Sequence, residues 1–122
     1  MTETRTAGEV ERLLDGMAER VDSVDGAIVL SREGIVVAST AALAQEAAER
    51  LSALVSGVQG LARGACHRFG GGEVLQSVIE LDTVLLFMVP AGEETIAVLS
   101  RADGDAGTIA YELAQLAERL AG

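Results

Sequence analysis

The stretch TVLLFMVPAGEETIAVLS, residues 83–100, decides the fold. Its two arms, Thr83–Val89 and Thr95–Ser100, are rich in β-branched and aliphatic residues and are apolar at consecutive positions. A strand with one wet face alternates apolar and polar residues, so continuous apolarity predicts a sheet covered on both sides. Pro90-Ala91-Gly92 supplies a turn between the arms, which pairs them antiparallel. A preceding run, EVLQSVIEL over 73–81, adds a third strand through a turn at Asp82. The three form a meander with the first of them on an edge.

Reading towards the N-terminus, DGAIVLS and IVVAS flank Arg32-Glu33-Gly34 and predict a β-hairpin. Thr6-Ala-Gly-Glu9 fits a capping box, and Val10, Leu13, Leu14, Met17 and Val21 follow at helical spacing. A second helix is expected over about 42–65, capped by Ser39 or Thr40, with Leu51, Leu54, Val55, Val58 and Leu61 turned to the core. A third starts at Asp103 or Asp105 and presents Ile109, Leu113, Leu116 and Leu120. The order is α-β-β-α-β-β-β-α in a single domain over 8–122, after a flexible stretch over 1–7. Covering both faces of five antiparallel strands with three helices places two on one face and one on the other. Five strands span roughly 20–24 Å, whereas one helix covers about 10 Å. The face with the single helix is therefore under-covered.

The second helix carries Gly57, Gly60 and Gly64 in its interior. Three glycines cost a helix about 3 kcal/mol relative to alanine. On a helical wheel they fall with Ala53 on a seam far from the expected core stripe. Small residues at that spacing let a second backbone approach. Drift towards glycine in a G+C-rich gene is the competing explanation, and a chain whose nine basic residues are all arginine, without lysine or asparagine, is consistent with such a gene. The edge strand VLQSVIEL points to the first explanation, since it is long, apolar and free of proline and lysine. Pairing with the same strand of a second copy would remove that edge in an isologous contact. The expected dimer interface is Ala53, Gly57, Gly60 and Gly64 with Val74, Gln76 and Val78 of strand three.

Composition removes several function classes. A net charge of −10 argues against a nucleic-acid surface or docking on anionic lipid. No apolar run approaches the ~20 residues of a membrane span. The opening residues carry acids where a secretory leader needs a positive start, so a cytoplasmic, soluble protein is expected. One cysteine, Cys66, and one histidine, His67, cannot assemble a zinc site, and as sequence neighbours they point apart. The glycine-rich FGGGE at 69–73 precedes a strand and lacks the following Lys-Ser/Thr of a phosphate cradle. Glu93-Glu94 and Asp103/Asp105 lack the ligand spacing of a calcium loop. No catalytic residue, cofactor or metal is expected.

Taken together, LLDGMAERVDSVDGAIVLSREGIVVAST, AAERLSALVSGVQGLA, GGGEVLQSVIELDTVLLFMVPAGEETIAVL and DAGTIAYELAQLAERL resemble the Roadblock (dynein light chain seven) family, its bacterial branch in particular. The V-x-G-A-x-x-x-S-x-x-G-x-x-x-A hairpin from Val24 to Ala38 is the most specific piece, and the resemblance covers about residues 8–121. It implies a profilin-like three-layer α/β fold and a non-enzymatic homodimer joined through strand three and helix two. It further implies regulation or scaffolding of a small Ras-like GTPase in a bacterial signalling system, sometimes with a sensor-kinase-like protein. Glu46, Glu49, Arg50 and Arg63 of helix two are the candidate GTPase contacts, with Arg50 or Arg63 the candidate arginine finger. The alternative is a small-molecule sensor of profilin-like fold, which would need a large closed apolar cavity.

Overall fold

The computed structural model describes residues 5–121. Its elements are α1 (Ala7–Arg20), β1 (Val24–Leu30), β2 (Val36–Ser39), α2 (Gln45–Phe69), β3 (Ser77–Glu80), β4 (Val84–Ala91), β5 (Glu94–Arg101) and α3 (Ala106–Ala121). This is the order expected from the sequence. Of the stretch 1–7 expected to be flexible, the first four residues lie outside the described residues, and α1 begins at Ala7. Thr6 caps α1 by accepting a hydrogen bond from the Glu9 backbone N–H at 3.2 Å.

The strands form one antiparallel sheet in the order β2-β1-β5-β4-β3. The meander β3-β4-β5 is present, and β1 joins it by pairing with β5. Alternate side chains of β1, β4 and β5 feed two separate cores, as period-two geometry requires. On one face Val29, Phe87 and Val98 pack with Leu14 and Met17 of α1 and Ile109 and Leu113 of α3. On the other, Ile28, Leu86, Met88 and Ala97 meet Ala48, Leu51 and Val55 of α2. Two helices thus cover one face and α2 alone covers the other. The continuous apolarity of β4 is explained by this double burial, with five consecutive buried residues from Leu85 to Val89.

Several boundaries differ from the sequence reading, each for a physical reason. Neither Ser39 nor Thr40 caps α2. Thr40 is buried instead, its hydroxyl accepting from the Ala27 N–H at 3.2 Å, and α2 starts after Ala44 without a side-chain cap. The helix also continues past Gly64 to Phe69 and ends where Gly70 adopts a left-handed conformation at φ 63°. β3 is four residues long rather than nine. Its register places Ser77 opposite Met88, so extending it upstream would set Leu75 against Pro90, which has no N–H to contribute. Pro90 itself lies within β4, opposite Thr95, and the turn is carried by Gly92 at φ 65°. For α3, Asp105 is the capping acid. Its carboxylate accepts from the N–H groups of Gly107 and Thr108 at 3.0 and 3.3 Å and from the Thr108 hydroxyl at 3.0 Å.

Two predictions follow from local geometry. Gly34 has φ +84°, and a Cβ there would lie 2.7 Å from the Ser56 Oγ of α2. Gly34→Ala is therefore expected to destabilise the chain by about 1–3 kcal/mol in urea unfolding, through left-handed strain and displacement of the Ser56 hydroxyl. The hydrogen bonds from Thr108 and Gly107 hold the Asp105 carboxyl below the usual carboxylate range. A depressed folded-state pKa contributes stability above the unfolded-state value and loses it as pH falls through the folded one. Asp105→Ala should therefore lower Tm at pH 7, and the gap to the parent should narrow as pH drops below about 4.

Candidate functional site

Among the described residues, exposed large apolar side chains concentrate on and beside α2, where Leu54, Leu61, Phe69 and Leu75 are uncovered. The buried stripe of α2 consists of Ala48, Leu51, Ser52, Val55 and Gln59. Leu54 and Leu61, which the sequence reading turned to the core, are instead 62% and 78% exposed. Leu43 precedes the helix and packs over Gly26 of β1, where a Cβ would come within 3.0 Å of it. The buried stripe runs through Ala48, Leu51, Val55 and Gln59, so Leu54 and Leu61 fall to its solvent side.

Ala53, Gly57, Gly60 and Gly64 are all exposed, as the wheel placed them. Nothing lies within 4 Å of the position a Cβ would take at any of the three glycines. No intramolecular close approach therefore accounts for them. Leu54 and Leu61 sit on the edge of this seam by helical spacing, so the outer face of α2 is a bare backbone strip flanked by two leucines. The leucines are the part of the surface the sequence reading missed. The sequence holds no signal for them, because Gln59, which takes the buried side at 6% exposure, is polar and would ordinarily face solvent.

The border of the sheet lies on the same flank. β3 pairs with β4 and has no neighbour on its other side. Ile79 packs against the α2 core, while Val78 is half-exposed on the opposite face. Val74 and Gln76 lie outside the four-residue strand, Val74 half-buried and Gln76 exposed. Phe69 and Leu75, each 83% exposed, lie in the segment running from the end of α2 to β3. A monomer normally protects such an edge with charge, proline or a covering element.

The candidate contacts on α2 do not form one patch. Glu46 and Arg50 pair with each other at 3.8 Å, one turn apart, on the exposed face. Glu49 accepts from the Gln45 side chain at 3.3 Å on the neighbouring flank. Arg63 lies 14 residues, or about 21 Å, further along the helix, and makes no ion pair among the described residues. Cys66 is half-buried with a free thiol, and His67 is exposed beside it. Among the described residues no group of three or more His, Cys, Asp or Glu is placed to hold a metal ion. No helix among them is long and apolar enough to cross a membrane. The clefts flanking α2 are open to solvent, the two at its ends each about 590 Å³. What the geometry offers is surface chemistry: a helix face and a strand edge shaped for another polypeptide.

Comparison with known proteins accords with this architecture. Residues 10–100 match the family model described as the Roadblock/LC7 domain. A Roadblock/LC7 domain from Streptomyces avermitilis, known from a crystal structure, is 39% identical. It covers 89% of this chain and 92% of its own, with a TM-score of 0.84. MglB, solved in a tetrameric arrangement, has the same fold at 18% identity, covering 99% of this chain and 91% of its own with a TM-score of 0.85. Profilin IA of Acanthamoeba castellanii is similar at a TM-score of 0.57 and 15% identity, over 92% and 96% of the two chains. The layered fold is thus profilin-like.

Proposed function

The chain belongs to the Roadblock/LC7 family, and on that premise we propose that it is a non-enzymatic homodimeric regulator of a small Ras-like GTPase in a bacterial signalling system. The observation that carries the dimer is the strip Ala53, Gly57, Gly60 and Gly64, exposed with open space over each glycine. About 3 kcal/mol of helix propensity is given up there, and contacts within the chain do not offset it. A second α2 approaching along that strip would bury Leu54 and Leu61, and β3 would meet β3 of the other copy about a two-fold axis. Val78 then lies at the junction, and Val74 and Gln76 join the strand once it has a partner on its free edge. The tetrameric arrangement of MglB supports self-association as a habit of this fold.

In such a dimer the two α2 helices lie side by side and form a broad platform. Glu46 and Arg50, one turn before the strip, stand on its exposed face and would contact the GTPase. Regulation would act by ordering the GTPase's own switch segments, in the way that docking fixes a loop that is otherwise free to move. Glu49 and Arg63, on the flank, reach it only if it wraps around α2. A sensor-kinase-like protein is a further partner in keeping with the family, and the cytoplasm is the compartment where these components meet.

Self-association and GTPase binding are separately testable. Leu61→Gln should change the unfolding free energy by less than about 0.5 kcal/mol at nanomolar chain, where a lone exposed leucine contributes little. At tens of micromolar it should fall below the parent by about 1 kcal/mol or more, because binding of a second copy stabilises only the parent. Equal urea midpoints at every concentration would contradict the seam. For the partner, a small GTPase encoded beside this chain should be retained on the immobilised protein when loaded with GDP or with a GTP analogue, and one state should be preferred. Arg50→Glu should reduce retention without altering the oligomer. Retention in neither state contradicts the regulatory reading.

A further inference from the structure

The opposite flank of α2, away from the glycine strip, borders an open groove. Its first section, about 590 Å³, lies between the start of α2 and β2. The second, about 230 Å³, lies between the middle of α2 and the β1–β2 turn, and Gly34 borders both. Ser52, Ser56, Gln59 and Arg63 line it from the helix, spaced by four, three and four residues and hence on one flank. From Glu49 to Arg63 the helix rises about 21 Å, the reach of six or seven extended residues.

Three features define what fits there. The first is Gln59, buried in the wall. Its Nε2 donates to Thr95 Oγ1 at 3.3 Å, while its Oε1 is buried without a hydrogen-bond partner among the described residues. Exchanging the two amide atoms leaves Nε2 orphaned instead, so this chain satisfies only half of the amide. A peptide unit, with one donor and one acceptor, supplies the other half after a small side-chain rotation. The second feature is charge. Glu11, Asp15 and Glu49 line the first section and no arginine does. In the second section Arg32 is neutralised by Glu93 at 3.3 Å, which leaves Glu33 against Arg63. The third is β2, which contributes Val36 and Ser39 to the wall and has a strand on one side only. Its free edge can receive an extended chain.

We propose that this groove captures an extended, basic segment of a partner protein. The segment lies beside β2, sets Lys or Arg side chains against Glu11, Asp15 and Glu49, and places a peptide unit on Gln59. β2 and β3 are opposite edges of the sheet, so the groove stays open in a dimer formed through β3. The proposal is also independent of the GTPase reading, because the test below contains no GTPase.

The probe is a fluorescein-labelled peptide of about eight alternating lysine and valine residues, followed by anisotropy with the full chain in about 0.15 M salt, where long-range attraction is screened. Saturable micromolar binding is expected. Glu49→Gln and Gln59→Leu should each weaken it by about fivefold or more. Glu118→Gln, exposed on α3 across the sheet, should leave it unchanged. Gln59→Leu should also keep or raise the Tm of the free chain, since it removes an orphaned polar atom. Gln59→Met, close to glutamine in length, carries the same two expectations if leucine does not fit. Replacing the peptide's valines with proline, which has no N–H, should abolish binding. The proposal is overturned if no saturable binding is seen up to about 1 mM. It also falls if Glu118→Gln weakens binding as much as Glu49→Gln, or if both Gln59 variants bind as the parent does.

Discussion

The packing of α2 against the sheet is the contact on which the rest depends. One helix about 10 Å wide is set over five strands spanning roughly 20–24 Å. It packs there by presenting Ala48, Leu51 and Val55 to Ile28, Leu86 and Ala97. At that contact the helix meets side chains of β1, β4 and β5. The contact also fixes its rotation, so that Leu54 and Leu61 look outward. The apolar surface of Leu54 and Leu61 and the bare glycine strip beside them follow from this one placement.

The same placement gives α2 three distinct sides. Its inner side is the second core, sealed and sequestered. Its outer side carries the bare glycine strip with Leu54 and Leu61 exposed beside it. Its remaining flank is polar and acidic, with a buried amide left half-satisfied beside an open strand edge. A helix that holds a sheet on one side is rigid enough to present both of the others without reorganising.

Much of this was legible in the residues. The double-faced apolarity of Leu85–Val89 and of Ile96–Val98 required helices on both sides, and the structure has them. The hairpin turn at Gly34 and the capping role of Thr6 were readable from local chemistry, whereas Asp103 and Asp105 were equal candidates until the structure selected Asp105. The rotation of α2 was not, because the hydrophobic pattern weighs leucine above alanine while close packing against a sheet favours the smaller side chain. Nor was the length of β3, because strand propensity says nothing about whether an opposing residue such as Pro90 can complete the ladder. The exposed position of the glycines was legible. The pairing of Glu46 with Arg50, and the separation of both from Arg63, needed the coordinates.

The central claim is that the outer face of α2 and the free border of β3 are covered by a second identical chain. Sedimentation velocity of the unmodified protein at micromolar concentration addresses it directly. The account predicts a single boundary at twice the mass of one chain, persisting on dilution into the low micromolar range. A boundary at the mass of one chain, unchanged as concentration is raised, would contradict it and leave the glycines of α2 without a structural cause.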